Sequence, residues 1–370
     1  MSVFRCGLIV NPVAGLGGEA ALKGSDGEAT QRLATQRGGV SRATERAVRA
    51  LLPFGAIPDF EVVTGAGLLG ADAAERAGVR HRVVYRQAEA SSTASDTKRL
   101  AGMLVDEYVD LIVFAGGDGT ARDLCEVLGE SQTVLGIPSG VKMHSAVFAV
   151  TPEDAGNIVQ ASMRGAVDRV VADVVDIDEA ARRSGRLQSR LYGRMLVPHA
   201  ARGIQSGKRS SVPPGSTTVA GIAAEVAARL RPGETCLFGP GTTIQAIGRS
   251  LGFEFSLLGV DAVRDGVVVG TDLDAAGLNR TVGSGRFQVV VSPVGGQGIV
   301  LGRGNQQLDD RLLERLSPDD LIVACTVQKL GELAGGPLLL DAPTVALNRK
   351  FAGIRRVVTG YRQEAAVRVS

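Results

Sequence analysis

Residues 111–124 read LIVFAGGDGTARDL. The apolar run of a buried strand breaks at Gly116-Gly117-Asp118-Gly119-Thr120 and gives way to a helical pattern. Glycines let backbone N–H groups come close to an anion and tolerate positive φ. The start of a helix adds unpaired N–H donors and the positive end of a dipole. An Asp serving only as a helix cap would explain the carboxylate, but not three glycines and the following Thr. A phosphate cradle with a fixed carboxylate points to phosphoryl transfer onto a hydroxyl, chemistry dominated by positioning and electrostatics. On this reading Gly116, Gly117, Gly119 and Thr120 hold phosphate, and Asp118 is the catalytic group that acts on the acceptor hydroxyl.

Outward from this stretch, strands and helices alternate. Residues 3–10, 60–64, 82–87, 110–115 and 133–138 read as strands. Residues 41–52, 71–78, 95–108, 120–129 and 151–165 read as helices, with Ser95 or Asp96 capping the third. Near-continuous Val, Ile and Leu in the strands indicates a parallel sheet within an α/β domain. After about residue 165 the texture changes. VDRVVADVVDID (167–178) and LYGRMLVPH (191–199) are β segments without a helix between them, and 205–217 is a polar Pro/Ser/Gly loop. A helix at 218–230, strand TCLFG, a GPGTT turn and another helix follow, then a Val- and Gly-rich stretch at 256–305 with hairpin turns such as RDG. The tail returns to βα character. The expected fold is therefore an N-terminal parallel-sheet α/β domain (1–160) followed by a β-rich C-terminal domain (161–370), whose last segment is a candidate to pack back on the first.

The 370-residue length favours two domains. A net charge of +2 and the absence of a basic block give no nucleic-acid field. The four cysteines are widely separated and only three His exist, which argues against a zinc site. Three of the four adjoin apolar runs and read as buried, reduced thiols. The N-terminus is too quickly interrupted for a signal peptide, and no apolar run approaches the roughly 18 residues of a membrane span. A cytoplasmic enzyme, with no membrane and no nucleic-acid partner, is the expectation.

Further motifs sit at strand ends, where open α/β sheets bind ligands. Asn11, in NPVAG (11–15), follows the first strand and is placed to bond a phosphate or the GGDGT loop; simple turn chemistry is the plain alternative. GIPSGVKMHSAVFA (136–149) reads as strand, turn and helix, with Ser139, Gly140, Lys142 and Ser145 as phosphate donors. Lys142 is one of only six lysines, and at a helix start the dipole disfavours a cation, which favours a ligand role. His144 reads equally as a packing residue. GPGTT (239–243) repeats the pattern in the second domain and reads equally as an ordinary βα turn. GGQG (295–298) and GRGNQQ (302–307) read as a Gly-rich hairpin. GAGLLG (65–70), with Glu89 beyond it, fits a dinucleotide fingerprint on paper, but it follows the second strand and precedes a short helix. GIQSGKRS (203–210) lacks the spacing and the hydroxyl residue of a P-loop.

Together NPVAG, AGGDGTARDL and the domain order resemble the ATP-NAD kinase superfamily, whose relatives include diacylglycerol and sphingosine kinases. LKGSDG (22–27), FAGGDGTARD, GIPSGVKMHSAVFA, GPGTT and GGQGIVLGRGNQQ are similar to a branch of NAD-kinase-like proteins known as acetoin-catabolism protein X. The resemblance implies transfer of the γ-phosphate of ATP, or of polyphosphate in some relatives, to the 2′-hydroxyl of NAD(H), giving NADP(H). It implies Asp118 as general base, Mg²⁺ on the triphosphate, and Gly241, Thr242 and Thr243 facing a nucleotide held between two domains. Small-molecule nucleotides are then the partners, and a homo-oligomer is expected by analogy. The chain departs from the family in lacking its second-domain Asn-Glu pair; Pro198 and His199 are candidates to stand at that place. The segments 15–27 and 295–306 have no obvious counterpart. A kinase with another hydroxyl acceptor, lipid or small molecule, and a non-catalytic nucleotide-binding regulator are the alternatives.

Overall fold

The computed structural model describes residues 3–22, 28–87, 92–140, 143–177, 189–199, 216–294, 298–333 and 336–370. The chain divides into two compact units, Met1–Leu16 with Gly24–Gly27 and Val40–Gly207, and Gly17–Lys23 with Glu28–Gly39 and Lys208–Ser370.

In the first unit, β1 (Phe4–Val10), β2 (Phe60–Gly65), β3 (His81–Tyr85), β4 (Leu111–Gly116) and β5 (Val134–Pro138) form one sheet in the order β3-β2-β1-β4-β5. Every pairing is parallel. The central strands are apolar at successive positions because both faces are covered. Leu8, Val10, Leu111 and Val113 pack under the helices Ala43–Leu51, Ala71–Arg76 and Pro152–Met163. Ile9, Ile112 and Phe114 point the other way, under Ala94–Asp106 and Asp118–Leu128.

The second face also receives Ala172, Val174, Met195 and Val197. These come from β6 (Asp168–Ile177) and β7 (Ser189–His199), an antiparallel pair. The pair therefore belongs to the first unit, and the division falls well beyond the expected boundary at 160/161. That boundary followed a change of texture, but the alternating apolar side of this hairpin is buried against the first sheet's own helix.

Three local expectations are corrected. Thr93, not Ser95 or Asp96, caps Ala94–Asp106; its N–H and hydroxyl both donate to Asp96 Oδ2, at 2.7 and 2.8 Å, in a capping box. The helix after β4 begins at Asp118, two residues earlier than read, with Gly117 as its extended N-cap. Among the described residues of 139–149 there is no helix: Gly136 N donates to Val147 O at 2.8 Å and Ala149 N to Gly136 O at 2.9 Å, which lays 148–149 beside β5, and the next helix is Pro152–Met163.

The second unit is β-rich. Its main sheet runs β10 (Val267–Leu273), β9 (Val260–Arg264), β8 (Thr235–Phe238), β11 (Phe287–Val291), β13 (Leu321–Ala324), β15 (Gly353–Gly360) and β16 (Gln363–Val369). The four strands β8, β11, β13 and β15 are parallel neighbours, flanked by antiparallel β9–β10 and β16. The RDG turn joins β9 to β10 with positive φ at Asp265 (49°) and Gly266 (76°), the two-residue turn that suits strand twist. The C-terminal segment supplies this unit's own β13, β15 and β16. The helices Ser216–Arg229 and Thr242–Ser250 cover one face. Leu278, Leu312, Leu347 and Phe351 cover the other. Leu278 lies in the helix Ala275–Val282, within the stretch read as hairpin-rich; Asp274 caps it by accepting from Gly277 N at 2.7 Å.

Candidate functional site

From β1 the chain runs outward to β2 and β3, then returns to place β4 and β5 on the other side of β1. Such a reversal leaves a crevice outside the carboxyl ends of β1 and β4. Asn11 follows β1, and Gly117–Thr120 follow β4. Asn11 N donates to Ala115 O at 2.9 Å, its Nδ2 donates to Thr120 Oγ1 at 2.9 Å, and its Oδ1 accepts from Val13 N at 3.2 Å. Of the two polar roles open to Asn11, the side chain thus takes the one within the protein, fixing the hydroxyl of the GGDGT loop. The end of β5 is tied in as well: Ser139 N donates to Gly116 O at 2.9 Å, and Ser139 Oγ donates to Ile137 O at 3.2 Å. A Cβ on Gly117 would stand 3.3 Å from the Cα of Gly140, so glycine at both positions lets the two backbones meet.

Asp118 is the first residue of its helix and only 5% exposed. Its Oδ2 accepts from His144 N at 2.7 Å and its Oδ1 from Ser145 N at 3.0 Å. His144 Nδ1 lies 3.2 Å from Oδ2. A carboxylate offers about four acceptor sites, and these three contacts leave one. The first helical turn adds a favourable field for the negative charge. Ser145 Oγ donates to Val175 O at 2.9 Å and accepts from Val175 N at 3.0 Å, anchoring β6 to the site. Ser145 therefore works through Asp118 and β6. Lys142 lies outside the described residues.

His144 and Val175 are the participants that sequence reading did not place. Asp118 and His144 share no periodic spacing, and a helix starting near Lys142, as expected, carries no sign that the His144 and Ser145 N–H groups turn to Asp118.

In the second unit, Gly241 caps Thr242–Ser250 at φ 119°, a conformation that favours glycine. Gly239 N donates to Val290 O and Gly241 N to Leu257 O, both at 2.9 Å. Thr243 is buried and Thr242 exposed.

The Gly-rich segments divide. Gly295–Gln297 lies outside the described residues. Val294 and Ile299, on either side of it, form an antiparallel bridge, with Val294 N donating to Ile299 O at 2.8 Å, and β12 (Ile299–Leu301) also pairs in parallel with β14 (Leu339–Leu340). Arg303 turns inward to Asp341, and Asn305 bonds Val300 O and Gly302 N, both at 2.9 Å. In GAGLLG, Leu69 is fully buried against Gly65, so the loop is filled by its own side chain. Glu89 and GIQSGKRS lie outside the described residues. Pro198 is buried and His199 exposed at the end of β7. All four cysteines are free thiols, and Cys6, Cys236 and Cys325 are buried as expected. Among the described residues no group of three His, Cys, Asp or Glu is placed to hold a metal, and no helix is long and apolar enough to cross a membrane.

A doubly wound parallel sheet with a buried carboxylate in a glycine-rich loop at its switch point makes this an α/β protein with an edge suited to a phosphate group. Residues 7–167 match the family model of the ATP-NAD kinase N-terminal domain, and residues 233–369 match that of the ATP-NAD kinase C-terminal domain. The chain belongs to the ATP-NAD kinase superfamily, a family of kinases. No curated protein matches it.

Proposed function

We propose that the chain transfers the γ-phosphate of ATP to the 2′-hydroxyl of NAD(H), giving NADP(H). The observation that carries this reading is Asp118, a buried carboxylate fixed by two backbone N–H groups at the switch point of a sheet whose family phosphorylates NAD. The acceptor oxygen attacks the γ-phosphorus, the bond to the β-phosphate oxygen breaks, and ADP leaves with that electron pair. The acceptor proton passes to Asp118. A carboxylate is a weak base toward an alcohol, so this transfer belongs to the transition state. His144 Nδ1 is the contact that yields its place to the hydroxyl, while the two N–H bonds hold the carboxylate still.

Gly116, Gly117, Gly119 and Thr120 present donors to phosphate, with Asn11 fixing the Thr120 hydroxyl. Ser139, Gly140 and Lys142 complete the proposed contacts of the first unit; in the second unit Gly241, Thr242 and Thr243 are the residues proposed to face nucleotide. Mg²⁺, when bound, neutralises charge on the triphosphate. On this reading the ion is carried by phosphate oxygens and water rather than by a protein cage. A cytoplasmic location, a homo-oligomeric state and membership of the acetoin-catabolism protein X branch belong to the same proposal.

One observation favours a second acceptor class. No Asn-Glu pair occurs in the sequence, and the strand taken as its counterpart ends in Pro198-His199. A kinase that phosphorylates another hydroxyl compound is the reading this supports. Incubation with ATP, Mg²⁺ and NAD or NADH tests the first reading by formation of NADP or NADPH. Phosphorylation of another member of an acceptor panel, without NADP(H), would replace it with the second.

A further inference from the structure

The second sheet contains a reversal of its own. From β8 the chain runs outward to β9 and β10, then returns to lay β11 on the other side of β8. The parallel neighbours β8, β11 and β13 open their carboxyl ends on one edge, with the reversal between β8 and β11. Each of these strands is followed by a polar side chain, and the three converge. Thr243 comes after β8, Ser292 after β11 and Lys329 after β13. Lys329 Nζ donates to Thr243 Oγ1 at 3.4 Å and to Ser292 Oγ at 3.3 Å. Thr243 is 3% exposed and Ser292 6%.

Lysines that serve stability find a carboxylate or carbonyl, or extend into water. Lys98 pairs with Glu126 at 2.5 Å, and Lys350 donates to the carbonyls of Leu313 and Glu314 at 3.0 and 2.7 Å. Lys329 is half-buried and spends its ammonium on two long bonds to neutral hydroxyls. Burial pushes this ammonium below the ordinary lysine range, with Cys325 and Glu332 acting in the opposite direction. A desolvated cation gains little from such bonds; an anion at the same edge would compensate it. Ser and Thr hydroxyls can accept from Lys329 while turning their own protons outward to a ligand. The nine-residue helix Thr242–Ser250 starts at this edge and adds its N-terminal dipole.

We propose that Lys329, Thr243 and Ser292 form a phosphate site at the carboxyl edge of β8, β11 and β13, which takes a phosphate or diphosphate group of the nucleotide. Its geometry belongs to the second unit alone; only the choice of a nucleotide as ligand rests on the kinase reading above. A brief pulse of amine acetylation on the full chain, followed by mass spectrometry of the Lys329 peptide, tests it. Saturating pyrophosphate or ADP is expected to cut labelling of Lys329 about fivefold or more, leaving Lys98 and Lys350 unchanged. In calorimetry, Lys329→Met is expected to weaken binding of both ligands about tenfold or more, and Lys329→Arg to restore most of it. Protection by both ligands assigns the site to the phosphate moiety; protection by ADP alone assigns it to the nucleotide. Unchanged labelling with both ligands, or wild-type affinity in a folded Lys329→Met protein, overturns the inference. NADP formation without protection removes this site and leaves the kinase reading standing; protection without NADP formation does the reverse.

Discussion

The first sheet and the second each reverse their strand order once, and each carries its polar groups at the carboxyl ends beside that reversal, but the groups have opposite sign. Between β1 and β4 stands Asp118, an anion whose oxygens are occupied by the N–H groups of His144 and Ser145. Beside the β8/β11 reversal stands Lys329, a cation whose hydrogen bonds among the described residues go to two hydroxyls at 3.3–3.4 Å. The difference separates two tasks. A carboxylate already held by the backbone is positioned to receive a proton. An ammonium left with weak partners is positioned to receive an anion.

Replacing each charge by a near-isostere breaks this comparison most sharply. Asp118→Asn is expected to reduce NADP(H) formation by about 10²–10⁴-fold. The variant is not silent structurally, because its amide –NH₂ must face the N–H of His144 or Ser145. A local cost of about 1–3 kcal/mol should appear in a thermal melt, with the core of the sheet intact. Lys329→Met is the matching change in the second unit, expected to lower phosphate affinity about tenfold or more while leaving that melt near wild type.

The turn glycines sharpen the comparison further. Gly241→Ala places a side chain at φ 119° and is expected to cost about 1–3 kcal/mol through backbone strain. Gly117 is extended, with φ −120°, so Gly117→Ala carries no such strain. Its new Cβ meets Gly140 Cα at 3.3 Å, and a smaller loss of stability with a raised KM for ATP is expected. Asn11→Ala has the smallest expected effect, about 1 kcal/mol for the lost bond to Thr120. It should appear as a rise of a few-fold in KM with kcat little changed.

The first sheet was legible because its strands hold near-continuous runs of Val, Ile and Leu, and Gly or Pro stands where several of them stop. LIVFAG and the following GDGT give strand, turn and helix from pattern alone. The order of strands was not legible, and with it the nearness of Asn11 to Thr120, 109 positions apart. The stretch after β5 misled because Ser139-Gly140 followed by SAVFA has helical composition, whereas the bridge of Gly136 with Phe148 and the bonds of Asp118 to two N–H groups go with a non-helical backbone over 143–149. Lys329 carried no signal at all. It sits on the six-residue helix Val327–Glu332, and its meaning depends on three strand ends that become neighbours only when the second sheet forms.

The most direct measurement is phosphate transfer itself. Purified wild type and Asp118→Asn are incubated with γ-labelled ATP, Mg²⁺ and NAD or NADH, and label is followed into NADP(H). Labelled NADP(H) from the wild type, with a rate at least about a hundredfold lower in the variant, is the expected result. Equal rates in the two proteins, or no labelled product from a folded wild type, would contradict the role given to Asp118 and the acceptor given to the enzyme.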